Sequence, residues 1–122
     1  MSVSRAIICL GANTPDAAER LEDAFAMLGS VGSVLRSTRP YPTAPEYAGE
    51  DKPYLNQIVE LATALSFDGL TEATKKYQTE IRALNTMPGL VNIDVDIVVW
   101  NGEVVRPADA AAAYYRQGIA ML

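Results

Sequence analysis

The stretch NIDVDIVVW, Asn92–Trp100, sets two aspartates at alternate places in a segment that otherwise reads as a buried β-strand. Successive side chains of a strand face opposite ways. Val91, Ile93, Val95, Ile97 and Val99 are therefore expected to pack beneath helices. Asn92, Asp94, Asp96, Val98 and Trp100 are expected on the opposite face. The next residues, Asn101-Gly102, form a strong hairpin signal leading into EVVRP. The segment thus predicts a strand of an antiparallel sheet, with a short extra hairpin strand beside it.

Working outward, the element before it, SFDGLTEATKKYQTEIRALN, carries Leu70, Ala73, Tyr77, Ile81 and Leu84 on one helical stripe. Pro88 and Gly89 break that helix. LNQIVELATAL upstream reads as a strand, and so does SVLRSTRPY. Between them PTAPEYAGEDKPY holds three prolines without periodicity, a connection long enough to be functional or disordered. Near the start, Arg5–Leu10 is an apolar strand ended by Gly11. Thr14 can cap the helix that follows, with Pro15 at its first position and Asp16 at the positive end of its dipole. Leu21, Ala24, Phe25 and Leu28 give that helix its apolar face, and Gly29 can close it. The tail ADAAAAYYRQGIAML is Ala-rich and partly helical by propensity, with an apolar end.

The resulting order, β-α-β-β-α-β plus a hairpin strand, is the ferredoxin-like plan: an α+β fold with an antiparallel sheet and both helices on one face. At 122 residues, about half apolar and one fifth charged, the chain is expected to form a single domain over residues 1–122. No run approaches the roughly 20 apolar residues a membrane helix needs. The opening run AIICLGA lacks a secretory cleavage pattern, and the lone Cys9 lies inside it as a small buried residue. A cytoplasmic protein without disulfides or membrane attachment is expected. The net charge of −5 without a basic run argues against nucleic acid. Histidine is absent, so any catalysis must run on carboxylates, phenols, amides, bound metal or positioning.

Asp94 and Asp96 share one strand face about 7 Å apart. Like charges so placed repel, and burial would drive them to protonate. Water or a divalent cation relieves both costs; two carboxylates at this spacing can ligate one or two Mg²⁺ and leave positions for phosphate oxygens. The same pattern fits a solvated polar sheet face. Asn56 and Glu60 are expected to share that exposure with Ile58, with Tyr54 just before them. An Asn amide offers two donors and an acceptor, enough to read one edge of a heterocycle. A strand-end role fits Asn56 equally well, as a core role fits Tyr54.

Four blocks stand in one order and spacing: LGAN after the first strand, YPTAP after the second, YLNQIVEL at the third and IDVDIVVWNGEVV at the fourth. They resemble the motifs Leu-Gly-Ser-Asn, Tyr-x-Thr-x-Pro, Tyr-Leu-Asn and Asp-Leu-Asp-Ile of 6-hydroxymethyl-7,8-dihydropterin pyrophosphokinase, a family of folate biosynthesis. The likeness runs from about Arg5 to Val105 and more weakly beyond. It implies a ferredoxin-like kinase that transfers pyrophosphate from ATP to the hydroxymethyl oxygen of a dihydropterin, with two Mg²⁺. By motif match, Asp94 and Asp96 correspond to the catalytic metal-binding pair. Thr43, Ala44 and Pro45 correspond to the segment along the pterin, Asn56 to the residue reading its polar edge, and Tyr54 to the tyrosine before it.

The chain departs from the family where cations are expected. The segment RALNTMPGLVN is short with one Arg, and Val91 stands at the place of an arginine just before the acids. Ala113-Tyr114-Tyr115 replaces Pro-His-Tyr, and Gln117-Gly118-Ile119 replaces Arg-Gly-Phe. Arg82, Arg106 and Arg116 are the candidates to contact the nucleotide instead. The resemblance therefore leaves two main readings, an active pyrophosphokinase with a shortened nucleotide loop and a non-catalytic pterin- or nucleotide-binding relative. A domain that uses its open sheet face for interactions is a third. The oligomeric state is not fixed by the sequence, and the GIAML end fits packing on the chain's own core or on a partner.

Overall fold

The nine residues SRAIICLGA make the central strand of an antiparallel sheet. The computed structural model describes residues 2–44 and 53–122. In chain order these form β1 (Ser4–Ala12), α1 (Ala17–Val31), β2 (Ser33–Ser37), β3 (Tyr41–Thr43) and β4 (Tyr54–Thr63). Then come α2 (Phe67–Arg82), β5 (Asp94–Trp100), β6 (Glu103–Val104), α3 (Pro107–Ala111) and α4 (Ala113–Met121). Among the described residues the six strands form one sheet in the order β2-β4-β1-β5-β6, with β3 also paired to β4. The fold is α+β and ferredoxin-like, with the extra hairpin strand β6. Asn101 and Gly102 turn it with φ of 48° and 82°, as an Asn-Gly hairpin requires. No helix among the described residues is long and apolar enough to cross a membrane.

Both long helices lie on one face. Leu21, Ala24 and Leu28 of α1 and Leu70 of α2 are fully buried against Ile8 and Leu10 of β1, Leu61 of β4 and Ile93. Each of the leucine and isoleucine side chains contributes about 1.5–3 kcal/mol by leaving water. The helix limits differ from the sequence reading. Thr14 is not a cap: its hydroxyl donates to Asp16 Oδ1 at 2.6 Å and α1 begins only at Ala17. Gly29 lies inside α1, which runs on to Val31. Arg82 ends α2, so Leu84 falls off the apolar stripe and is 61% exposed.

SVLRSTRPY is not one strand. Proline has no N–H for a ladder, and at Arg39-Pro40 the pairing passes to a side chain. Thr38 N donates to Ile58 O at 2.9 Å, while Thr38 Oγ1 accepts Ile58 N at 3.0 Å. Pairing with β4 then resumes at Tyr41 and continues to Thr43, inside the segment expected to be loop. The rest of that connection, with Pro45, lies outside the described residues apart from Ala44 and Pro53.

The alternation expected for Val91–Trp100 holds only in the middle. Val91 and Asn92 precede the strand, and Asn92 is buried, donating through Nδ2 to Ile81 O at 2.7 Å on the helix side. Ile93, Val95 and Ile97 face the helices, while Val98 joins the opposite cluster. A bulge then shifts the register, since Ile8 pairs with Ile97 but Ile7 pairs with Val99. Val99 therefore packs on the second face and Trp100 returns to the helix side, edge-on to Phe67 at 5.5 Å.

The second face is not left open. The tail folds back as α3 and α4, and Tyr115 packs with Cys9, Tyr41, Ile58 and Val98. Tyr41 Oη donates to Tyr114 O at 2.8 Å. α4 approaches so closely at Gly118 that a Cβ there would collide with the Tyr41 hydroxyl and Ile58 Cγ1. The apolar tail thus packs on its own sheet, covering one end and leaving the Asp94–Asp96 end uncovered.

Candidate functional site

β5 enters the sheet already fixed in place. Asn13, the last residue of LGAN, donates from its backbone to Val91 O at 2.8 Å and accepts Val91 N through Oδ1 at 2.6 Å. Gln78 Oε1 accepts Val95 N at 2.8 Å. Flanking the Val95 anchor, Asp94 and Asp96 project onto the second face. They line one cavity of about 290 Å³ with Thr43, Tyr54 and Asn56 across its floor. Asn56 is 5% exposed, and its Nδ2 donates to Thr43 Oγ1 at 2.6 Å. Gly11 makes room for it, because a Cβ there would stand 3.0 Å from Asn56 Oδ1.

The acids have cations of their own. Arg82, at the end of α2, donates through Nη2 to Asp94 Oδ1 and through Nε to Ile93 O at 3.1 Å. Arg106 Nη1 lies 3.8 Å from Asp96 Oδ1, and its Nε donates to Asp109 Oδ2 at 2.6 Å. Burial raises the pKa of Asp94 and of Asp96 above the free carboxylate; Arg82 and Arg106 oppose that shift without cancelling it. At Arg106 burial works against the charge, but the hydrogen bond and charge of Asp109, with Asp96, outweigh it and raise the pKa.

A second cavity of about 250 Å³ adjoins the first and shares Gln78, Asp96 and Arg106 with it. Phe67 and Ile97 give it apolar wall, and Lys75 adds a cation. The candidates from the sequence therefore divide. Thr43, Tyr54, Asn56, Arg82, Asp94, Asp96 and Arg106 meet around one cavity. Ala44 follows β3 outside its lining, and Arg116 is exposed on α4, also outside it. Sequence reasoning missed Gln78, Lys75, Asp109 and Tyr114. Gln78 was within reach, because it precedes Arg82 by one helical turn and shares its face. Tyr114 stands where the family motif has His. Nothing local marks Asp109, which the β6–α3 turn carries in.

Hard oxygen donors on adjacent outward positions suit Mg²⁺, which takes one or two carboxylates and completes its shell with water and substrate phosphates. Among the described residues no group of three Asp, Glu or Cys side chains is placed to hold a metal ion.

Fold and site together define a class: a ferredoxin-like α+β protein with an acidic, arginine-edged ligand cavity on the sheet face away from its long helices. A family model described as 7,8-dihydro-6-hydroxymethylpterin-pyrophosphokinase (HPPK) matches residues 7–119, and the chain belongs to that family. No curated protein matches it.

Proposed function

We propose that the chain transfers pyrophosphate from Mg²⁺-bound ATP to 6-hydroxymethyl-7,8-dihydropterin. One observation carries this reading beyond family membership: two cavities of ligand size meet at Asp96 and Arg106, with Asp94 beside them. A group transfer needs two ligands whose reacting atoms are held in contact, and such positioning supplies much of the rate. The flat pterin fits the cavity of Thr43, Tyr54 and Asn56, where the Asn56 amide faces its polar edge. The nucleotide fits the adjoining cavity, its base against Phe67 and Ile97 and its phosphates directed to the shared wall.

Charge sets what the wall must do. Asp94, Asp96 and Asp109 against Arg82 and Arg106 leave the wall of the first cavity acidic, and ATP adds about four negative charges. Asp94 and Asp96 would hold Mg²⁺ brought with the nucleotide; when bound, the metal neutralises phosphate charge and aligns an in-line displacement. Arg82 must then release Asp94, and its guanidinium becomes available to the transferring phosphates. The pterin hydroxymethyl oxygen forms a bond to the β-phosphorus and loses its proton, and the bond from that phosphorus to the α-bridging oxygen breaks, releasing AMP.

A second reading has its own support. Arg82 and Arg106 are each engaged by acids, which fits a protein that binds pterin or nucleotide without turnover. Incubation with ATP, Mg²⁺ and hydroxymethyl-dihydropterin separates the two. Equal amounts of AMP and pyrophosphorylated pterin are expected; binding of both ligands with no AMP above background would leave the binding protein.

A further inference from the structure

Asp109 brings a third carboxylate to a wall where the sequence pointed to two, and both of its oxygens are engaged. Tyr114 Oη donates to Asp109 Oδ1, and Arg106 Nε donates to Asp109 Oδ2 at 2.6 Å. Arg106 reaches Asp96 only at 3.8 Å, so its resting partner is Asp109. The two are three residues apart at the start of α3, a spacing that keeps the pair together. Arg106 is half exposed, lines both cavities and stands at their junction.

We infer that Asp109 is a specificity-determining residue of this site: it competes with nucleotide phosphates for Arg106 and so sets how many phosphate charges the site accepts. The inference rests on the nucleotide reading above. A guanidinium takes carboxylate or phosphate through the same planar fork. A polyphosphate arriving at the junction must draw Arg106 from Asp109 while enduring the repulsion of that carboxylate. Tyr114 holds Asp109 in place, so the acid cannot follow. Each added phosphate increases the repulsion, and the penalty grows from mono- to triphosphate. A pterin, which carries no phosphate, is indifferent to it.

Asp109→Asn tests this directly, because the amide oxygen can still accept from Arg106 and the amide N–H₂ can donate to the Tyr114 hydroxyl, while the charge is removed. The full chain is titrated calorimetrically, with Mg²⁺ present, with AMP, ADP and a non-hydrolysable ATP analogue. The variant is expected to bind the ATP analogue about tenfold more tightly than the parent, with a smaller gain for ADP and less than about threefold for AMP. Asp109→Glu, which keeps the charge, is expected within about twofold of the parent. In an Arg106→Ala background the Asn substitution is expected to keep only the part of its gain that comes from relieved repulsion, so the gain for the ATP analogue is smaller than in the parent background; an undiminished gain would overturn the competition for Arg106. The far-ultraviolet circular dichroism spectrum and the melting curve, recorded alongside, are expected to match those of the parent and report that the variant is folded. Nucleotide binding by the parent with no gain in the variant, or a gain equal for AMP and the ATP analogue, overturns this inference alone. Absence of nucleotide binding in both overturns the nucleotide reading and this inference with it.

Discussion

Asp94 and Asp96 are held in conflict: burial favours their protonated forms, and Arg82 and Arg106 oppose it. Their folded-state pKa values lie above the 3.8 of a free carboxylate, so as pH falls the folded protein takes up protons before the unfolded chain does. The pair's contribution to stability is therefore greatest at low pH and is lost as pH rises through the raised values. The acids interact with each other and with Asp109, so they titrate as a coupled group. In chelator-treated protein, the melting temperature of the parent relative to Asp94→Asn with Asp96→Asn is expected to increase as the pH is lowered from neutral through the raised carboxylate values toward the 3.8 of a free carboxylate. A difference that is flat or decreases over this whole descent would contradict the direction of the shift. In the proposed function Asn56 carries the pterin side of the site. Asn56→Ala removes the amide from a nearly closed wall and is expected to weaken pterin binding about ten- to a hundredfold, with calorimetry as the check. Unchanged affinity would remove the amide from the pocket's chemistry.

At the scale of elements, two glycines give opposite expectations. Gly29 lies within α1, with no atom within 4 Å of the place a Cβ would take. Gly29→Ala is expected to stabilise by about 0.5–1 kcal/mol. Gly118→Ala pushes a methyl into Tyr41 and Ile58 and is expected to cost about 1–3 kcal/mol in denaturant unfolding. A neutral Gly118→Ala would mean that α4 does not pack on the sheet as described. The same contrast explains what the sequence could reveal. β1, β4, α2 and the Asn101-Gly102 turn are written in local periodicity and turn chemistry, and they were legible. The bulge beside Val98 was not, because strict alternation has no place for an extra residue. The placement of α3 and α4 was not, because it depends on a missing side chain at Gly118 meeting residues from β3 and β4.

At the scale of the whole molecule, four short blocks far apart in sequence converge on one wall, and their order sufficed to place the chain in its family. The residues that match a motif, Thr43, Tyr54, Asn56, Asp94 and Asp96, could be named in advance. Arg82 and Arg106 could be named as cations but not paired, since pairing depends on where α2 stops and how α3 begins. Lys75 and Asp109 reach the site through topology alone, whereas Gln78 shares the helical face of Arg82 one turn earlier. A pyrophosphoryl transfer here requires the two adjoining cavities to hold two ligands at once, joined at Asp96 and Arg106. The most direct test is a calorimetric titration of hydroxymethyl-dihydropterin into protein saturated with Mg²⁺ and a non-hydrolysable ATP analogue. Binding of the pterin at least as tight as to the protein alone is the predicted result. Exclusion of the pterin by the analogue, as competitors for one place, would contradict the account.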